Sequence, residues 1–435
     1  MSATERPIAT LPLELLQHVF TYLTTTDLKA ARLTCKAFSE IGTEELFRDV
    51  SIVHQSKHFD RLVYIAEQPA ISRCVRSLYY HADVLRHRDE WPAEQRRNFL
   101  EHPLVNFRAP TDWDFDAEYQ RLRALCRDQI DIRASGHDSR DLSYFMKECP
   151  RVNSVTIAFG AQPTSFKRDQ WPQRAFENIP SISFCHPDVI KEQRSAALRV
   201  LARAVAASGR PLTSLRILGV PIDTDDFRAM SQRTMEGVCG VFQHLNELSI
   251  QLEVDVGGVL EEPKDKPYTM RRFLEAASQS VRGLDLRFPY GRVIGVEPGL
   301  RFCRAVDLSV NWPNLHTLIL ACCEVDGRAF AAFLVQRLPV LEHLSLEEIG
   351  LVTNTGSWEL VFNRVAGRIG RLATVELKPS VFSTEGGGIL LDFYEPALRP
   401  IKVAIERSLV TGDACPDLSP YHVEWNSDSE DDMSL

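Results

Sequence analysis

Three aspartates near the middle of the first half of the chain have the spacing of metal ligands. Asp112, Asp114 and Asp116 match the first three ligand positions of a calcium-binding loop. That loop also requires a glycine at its sixth position and a glutamate at its twelfth, where this sequence has Ala117 and Arg123. We therefore interpret the aspartates as a solvated acidic stretch and not as a calcium site.

Histidine and cysteine pairs also lack the context of a metal site. His54 and His58 are four residues apart, as zinc ligands on one helical turn are, but no glutamate completes the H-E-x-x-H motif. Cys185 and His186 are adjacent, and successive side chains of a strand point to opposite sides. We therefore expect no metal site and no cofactor.

Candidate nucleophiles and phosphate-binding loops are equally incomplete. Cys322 and Cys323 are adjacent and could be redox active, but we favour the alternative that they are packed thiols. The glycines at 386–388 have no Lys-Ser/Thr after them, and the sequence contains no G-x-S-x-G motif. Since no catalytic set is identified, we expect the chain not to be an enzyme.

The composition is that of a folded protein with reduced cysteines. Of its 435 residues, 44% are hydrophobic and 25% are charged, which excludes wholesale disorder and a small disulfide-stapled module. The formal net charge of −9 disfavours general nucleic-acid binding. Ten cysteines without a C-x-x-C pair are typical of a cytoplasmic or nuclear protein. Because there is neither an apolar run of about 18 residues nor a secretory leader, we expect no membrane association.

Residues 11–48 have the apolar periodicity of three short helices. Pro12 suits the first turn of a helix, and a stripe at helical spacing follows it, formed by Leu15, Leu16, Val19, Phe20 and Leu23. Residues 24–27 offer N-caps for a second helix, whose predicted face consists of Leu28, Ala31, Cys35 and Phe38. A third short helix is predicted over residues 43–47. From periodicity alone, these helices could be no more than a cap on a larger domain.

The same residues resemble an F-box. The resemblance is carried by Leu-Pro-x-Glu-Leu-Leu-x-x-Val-Phe-x-Tyr-Leu at 11–23, Asp-Leu at 27–28, Ala-Arg at 31–32 and Cys-Lys-x-Phe at 35–38. Phe38 departs from the tryptophan that many members carry, but both are large aromatic residues. The resemblance implies binding to the Skp adaptor of Skp–cullin–F-box ubiquitin ligases through Leu11, Pro12, Leu15, Leu16, Val19, Phe20, Leu28, Cys35 and Phe38. Some of these residues must instead hold the helices together, and the sequence does not separate the two groups.

An apolar triad at positions i, i+3 and i+5 recurs through the rest of the chain. Its last two positions have the period of a strand with one buried face. Six copies lie 26 to 36 residues apart, and they begin at Leu212, Leu245, Val281, Leu315, Leu341 and Leu372. Weaker copies begin at Val75 and Val152. Helical stretches are predicted before most copies, over residues 193–208, 226–242, 269–280, 328–338 and 358–369.

Strand–helix units of this size cannot bury their apolar faces alone and must stack on their neighbours. The predicted fold class is therefore α/β, with the three N-terminal helices followed by a solenoid that has an inner parallel sheet and outer helices. The triads resemble irregular leucine-rich repeats, and the copy at Leu315 completes that pattern with Cys323 at its last position. A doubly wound α/β domain is the alternative, although no Gly-rich phosphate loop follows these strands.

Three segments are predicted along the chain. Residues 1–50 form the F-box, residues 51–410 the irregular solenoid, and residues 411–435 an acidic tail whose end is expected to be disordered. Within the solenoid, the clearest repeats span 212–380 and a charged insertion covers about 86–141. In the tail, Ser427 and Ser429 each have an acidic residue three positions later, which is compatible with phosphorylation. An inert solubilising tail is the interpretation that we favour.

Alternation along the predicted strands assigns the polar residues of each copy to an exposed inner face. We predict substrate contacts there, through Arg216, Glu247, Asp285, Arg287, His343, Glu347, Glu376 and Lys378. This mixture of acidic and basic side chains suits a protein segment better than a phosphate backbone. A face that binds nothing and is merely solvated is the alternative.

Together with the F-box resemblance, these features predict a non-catalytic substrate-recognition subunit of a Skp–cullin–F-box ubiquitin ligase. The N-terminal helices would bind the Skp adaptor, and through it the cullin, while the solenoid would bind an unidentified protein substrate. Two alternatives stay open: an adaptor-bound scaffold that acts outside ubiquitination, and an α/β enzyme with an N-terminal interaction motif. We expect neither a nucleic-acid nor a membrane partner.

Overall fold

The computed structural model describes residues 11–82, 115–159, 187–221, 230–253, 270–288, 302–352, 355–383, 388–389, 391–392, 396–418 and 422–423. The chain divides into two compact units, Met1–Leu212 and Thr213–Leu435. The predicted boundary at residue 50 lies inside the first unit. Each unit contains helices and parallel strands, so the prediction of a mixed α/β protein is confirmed at that level.

Three helices form the N-terminal part of the first unit: α1 (Leu13–Phe20), α2 (Thr25–Ala31) and α3 (Lys36–Phe47). The predicted N-cap of α2 is confirmed, because the Thr24 hydroxyl oxygen accepts a hydrogen bond from the Asp27 N–H at 3.2 Å. The same hydroxyl donates to the Asp27 carboxylate at 2.7 Å. This pair of reciprocal bonds fixes the point at which the chain turns from α1 into α2.

The prediction that Leu28, Ala31, Cys35 and Phe38 share one helix is wrong. Helix α2 ends at Ala31, where the Thr34 hydroxyl donates a hydrogen bond to the Ala31 carbonyl oxygen at 2.8 Å. Cys35 is extended, with φ −156° and ψ 167°, so the helical backbone is interrupted there. Helix α3 begins at the next residue, seven positions before the predicted start of the third helix.

The strands of the first unit are β1 (Asp49–Val53), β2 (Ser77–His81) and β3 (Ser154–Ala158). They are parallel and in register, with Val50 beside Leu78 and Leu78 beside Val155. The two weaker triads are thus confirmed as the strands β2 and β3. The predictions omit β1, although Phe47, Val50 and Ile52 have the same triad spacing.

The other helices of the first unit are α4 (Ser56–Glu67), α5 (Pro69–Ser72), α6 (Phe115–Ser135), α7 (His137–Glu148) and α8 (Pro187–Ser208). Helix α4 buries Phe59, Leu62 and Ile65 almost completely, on the side that its helical period turns away from solvent. Helix α7 packs against both α4 and α8. Gly136 joins α6 to α7 with a φ of 64°, a left-handed conformation that glycine adopts without strain.

The second unit contains ten strands in its described parts: β4 (Ser214–Pro221), β5 (Glu247–Glu253), β6 (Gly283–Arg287), β7 (Thr317–Ala321), β8 (Glu324–Val325), β9 (His343–Leu351), β10 (Thr374–Ser383), β11 (Gly388–Ile389), β12 (Leu391–Asp392) and β13 (His422–Val423). Its helices are α9 (Gln232–Phe242), α10 (Met270–Ala277), α11 (Phe302–Ala305), α12 (Gly327–Arg337), α13 (Trp358–Val365) and α14 (Arg399–Thr411), and a 3-10 turn spans Pro396–Leu398. The strands β4, β5, β6, β7, β9 and β10 pair in chain order and are all parallel. The six strong triads are therefore confirmed as strands.

Two short strands extend this sheet next to β9 and β10. β8 runs parallel to the end of β9, and β12 pairs antiparallel with β10. β11 and β13 form a separate antiparallel pair. The parallel order of the triad strands thus gives way to antiparallel pairing after β10.

Burial alternates along the triad strands of the second unit as the sequence predicts. The last two positions of the six triads are at most 2% exposed, apart from the half-buried Val375. Most residues at the alternating positions, i+2, i+4 and i+6 of each triad, are exposed or half-buried; the exceptions are Leu218, Gly283, Ala321 and Ser345, which are buried. One face of the sheet therefore forms the core, and the other carries polar side chains that solvent reaches.

Some of the sequence-based predictions concern residues outside the described ranges. These are most of the charged insertion, the acidic tail with Ser427 and Ser429, Asp112, Asp114, Cys185, His186 and the first two glycines of 386–388. Asp116 lies in helix α6. Within the described ranges, no helix combines the length and the apolar character that a membrane span needs.

Candidate functional site

The three N-terminal helices bury a small apolar core between them. Leu16, Phe20, Leu28 and Ile41 are 3–7% exposed and form this core. Phe38 is half-buried and packs its ring edge-on against Phe20, with 5.3 Å between the ring centroids. Of the nine residues that the F-box resemblance assigns to adaptor binding, Leu16, Phe20 and Leu28 thus lie inside the helical core.

A second group of apolar residues on these helices faces solvent. Leu11, Leu15 and Val19 are 40–52% exposed, and Pro12 and Cys35 are also exposed. These five members of the predicted adaptor-binding group are accessible to a partner. The structure therefore separates the buried members of this group from the exposed ones, which periodicity leaves mixed.

Three further exposed residues escape the sequence-based assignment: Leu13 at 55%, Tyr22 at 73% and Leu33 at 89%. Tyr22 could have been found, because Leu15, Val19 and Tyr22 are spaced i, i+4 and i+7 on one helical face. Leu33 lies in the break between α2 and α3, which periodicity does not reveal. We call the six large exposed residues in and next to these helices, Leu11, Leu13, Leu15, Val19, Tyr22 and Leu33, the exposed apolar set.

Five of the eight predicted substrate-binding residues of the second unit form two ion-pair groups. Arg287 lies between two acids, with its Nε 2.9 Å from Asp285 Oδ1 and its Nη1 3.3 Å from Glu347 Oε2. Its reach from β6 to β9 passes over β7, where the residue in the same row is the small Ala321. The Ser249 hydroxyl adds a hydrogen bond to Asp285 at 3.2 Å.

The second group lies on β9 and β10. Lys378 Nζ is 3.4 Å from Glu376 Oε2, which also accepts a hydrogen bond from the Ser345 hydroxyl at 3.4 Å. His343 forms a hydrogen bond with Thr374, its partner in the row. Two of the three basic residues that the sequence assigns to this face are thus already paired with acids of the same face.

Arg216 and Glu247 lie apart from these two groups. Both are exposed, on the neighbouring strands β4 and β5. The Glu247 carboxylate lies against Gly283, where an added Cβ would overlap it. The structure therefore brings together Asp285, Arg287 and Glu347, and leaves the charges of Arg216 and Glu247 outside the ion pairs found among the described residues.

The adjacent cysteines have the environment of packed thiols. Cys323 is 2% exposed, and burial raises the pKa of its thiol well above the usual value. Burial, together with the neighbouring Glu348, raises the pKa of the Cys322 thiol to about 12. The Cys322 thiol donates a hydrogen bond to the Glu348 carboxylate at 3.6 Å. Neither sulfur is therefore activated as a thiolate.

The histidine pair at 54 and 58 lies in a buried polar cluster at the start of α4. His54 Nδ1 is 2.6 Å from the Tyr80 hydroxyl, and the Gln129 amide donates to the His54 carbonyl oxygen at 3.1 Å. Burial lowers the pKa of His54 to about 3 and that of His58 to about 4, so both rings are neutral near pH 7. This cluster joins α6 to α4 and β2. Within the described ranges, neither histidine belongs to a group of three side chains that could hold a metal ion.

Comparison with known families finds an F-box-like domain at residues 8–53. This range contains α1, α2 and α3 and also the first strand, β1. No curated protein matches the chain. The chain is therefore a mixed α/β protein with an N-terminal F-box-like domain. F-box domains generally bind Skp-type adaptors, so the match suggests an adaptor-binding role for these helices.

Proposed function

We propose that the chain is the substrate-recognition subunit of a Skp–cullin–F-box ubiquitin ligase. The observation that carries this proposal is the exposed apolar set on the F-box-like helices, each member of which is at least 40% exposed. Six exposed apolar side chains within residues 11–33 are typical of a protein–protein interface. A Skp-type adaptor would cover them and link the chain to the cullin.

The second unit supports the substrate-binding half of the proposal. Its triad strands follow chain order, whereas a doubly wound sheet reverses its strand order at a switch point. One face of its sheet is buried and the other carries polar residues in reach of solvent, whereas helices cover both faces of a doubly wound sheet. These features favour a leucine-rich-repeat-like solenoid over the doubly wound alternative, and we assign protein-substrate binding to its polar face.

The role proposed for the chain is to hold a substrate, with no catalytic residue of its own. Binding both substrate and adaptor would raise the effective concentration of the substrate near the charged ubiquitin-conjugating enzyme. The raised thiol pKa values of Cys322 and Cys323 agree with a non-catalytic role for that pair.

Adaptor binding by the full chain tests the first half of the proposal. We expect the double variant Leu15→Asp with Val19→Asp to lose adaptor affinity, because two charges would have to be desolvated at the interface. Val403→Asp is the matched control, since Val403 is 61% exposed on α14 of the second unit. Equal adaptor affinity of the double variant and the control would contradict the proposal.

Protein turnover in cells separates the ligase role from the scaffold alternative. If the chain delivers substrates, proteins that bind it should accumulate when Leu15→Asp with Val19→Asp replaces the wild type. A scaffold outside ubiquitination predicts adaptor binding without such accumulation. Stable levels of every bound protein would therefore favour the scaffold.

A further inference from the structure

Asp60, His137 and Asp141 bring three potential metal ligands together on two helices of the first unit. His137 and Asp141 lie one turn apart on α7, and Asp60 belongs to α4. The His137 Nε2 atom is 2.6 Å from Asp141 Oδ2 and 3.6 Å from Asp60 Oδ1. The three ligand atoms all lie within 4.8 Å of one another.

This spacing suits a common metal ion. First-row metal ions hold nitrogen and oxygen ligands at about 2.1 Å, so two ligands of one ion lie roughly 3–4 Å apart. The 3.6 Å distance from His137 Nε2 to Asp60 Oδ1 lies in that range, whereas the 2.6 Å distance to Asp141 Oδ2 is a hydrogen-bond length and would have to lengthen by about 0.5 Å around a bound ion. Asp60 is 70% exposed in its side chain and is free to adjust, whereas the side chain of Asp141 is only 7% exposed and is fixed by its surroundings.

Neighbouring residues orient two of the three ligands. The Nε of Arg140 lies 2.8 Å from Asp141 Oδ1, which leaves Oδ2 directed at His137. The imidazole of His137 lies over the fully buried ring of Phe59, with 6.0 Å between the centroids. A hydrogen bond such as that of Arg140, which holds a ligand in position from outside, is typical of protein metal sites.

We propose that His137 Nε2, Asp141 Oδ2 and Asp60 Oδ1 bind a first-row divalent transition-metal ion. One imidazole and two carboxylates suit zinc, cobalt or manganese better than calcium, which prefers an all-oxygen shell. The exposure of Asp60 leaves room for water in the remaining ligand positions. The sequence gives no sign of such a site, because Asp60 joins the pair only through the packing of α4 on α7.

The same contacts would also suit a protonated His137 that forms ion pairs with both aspartates. The two explanations differ in one observable property, which is the binding of a metal ion that depends on all three side chains. If the three side chains form ion pairs only, Asp60→Asn and His137→Gln should each change the thermal midpoint by the same amount with and without metal.

Cobalt(II) is the probe that distinguishes the two explanations in the full chain. Bound to nitrogen and oxygen ligands it gives weak visible bands, whereas cysteine thiolate adds an intense charge-transfer band, so binding by any of the ten cysteines is recognised. We expect the wild type to bind one Co²⁺ ion without the thiolate band. Since the loss of an outer contact already weakens metal binding by about 10–100-fold, Asp60→Asn and His137→Gln should weaken it at least about tenfold.

Asp131→Asn is the matched control, because Asp131 is exposed on α6 outside the cluster. It removes one carboxylate from the same unit and should bind Co²⁺ as the wild type does. Because Asp60 is largely exposed, Asp60→Asn should keep the wild-type circular dichroism spectrum. Equal Co²⁺ binding by the wild type, Asp60→Asn and Asp131→Asn, or no binding apart from thiolate sites, would overturn the proposal.

Discussion

Leu15 and Leu16 are neighbours of the same residue type, and alanine at each position should have a different effect. Leu15 is 52% exposed on α1, whereas Leu16 is 3% exposed in the helical core. Full burial of a leucine side chain is worth about 1.5–3 kcal/mol, so covering the exposed half of Leu15 with an adaptor contributes about 1–1.5 kcal/mol. Leu15→Ala should therefore weaken adaptor binding roughly fivefold to tenfold.

Leu16→Ala should act on folding instead. Removing a buried leucine side chain and leaving a cavity costs about 2–5 kcal/mol of the free energy of unfolding. Leu15→Ala, on an exposed surface, should change that free energy by no more than about 0.5 kcal/mol. Calorimetric titration with the adaptor and denaturant unfolding of both variants measure the two effects. Wild-type adaptor affinity for Leu15→Ala, or wild-type stability for Leu16→Ala, would refute this assignment of the two residues.

Three other substitutions test separate parts of the structure. Thr24→Ala removes the N-cap of α2 and should destabilise the helical module by about 1 kcal/mol in denaturant unfolding, whereas Thr26→Ala, at an exposed position, should not. Burial lowers the pKa of His54 to about 3 in the folded state, so the unfolded chain binds the proton first as the pH falls below about 6.5. The free energy of unfolding should therefore decrease by up to about 1.4 kcal/mol per pH unit between pH 6.5 and pH 3. In unfolding curves measured from about pH 7 to pH 5, His54→Gln should show a smaller decrease than the wild type, and an equal decrease would contradict a buried, neutral imidazole. Arg287→Ala should change the thermal midpoint little, because partly exposed ion pairs contribute at most about 1 kcal/mol, yet it should reduce the capture of bound proteins relative to Arg282→Ala, which is exposed just before β6.

Much of the strand arrangement could be predicted, because burial with a period of two leaves a direct mark on the sequence. Leu284 and Leu286, for example, fall on one side of β6 and are at most 2% exposed. The same rule would have found β1 from Val50 and Ile52, had it been extended into the F-box-like region. The break at Cys35 could not be found in this way, because the apolar residues on both sides of it happen to continue a helical spacing.

The candidate sites were less predictable, because they depend on how elements pack. Leu15 and Leu16 both belong to one wide apolar stripe, and the way α1 packs on the other two helices decides which of them stays exposed. On the polar face, the alternation of side chains predicts that Arg287 is accessible. It does not predict the pairing with Glu347, which requires the register of three strands and the small Ala321 between the two residues.

The F-box-like helices connect to the strands of the first unit without a linker. Helix α3 ends at Phe47, and β1 begins at Asp49 after the single residue Arg48. The Arg48 carbonyl oxygen accepts hydrogen bonds from the N–H groups of Arg76 and Ser77, at 2.8 and 3.1 Å, at the start of β2. The Arg76 guanidinium also pairs with Glu44 of α3 at 2.8 Å. Because strand pairing begins at the residue after the helix cap, an adaptor bound to these helices would be held in a fixed orientation to β1 and β2 of the same unit.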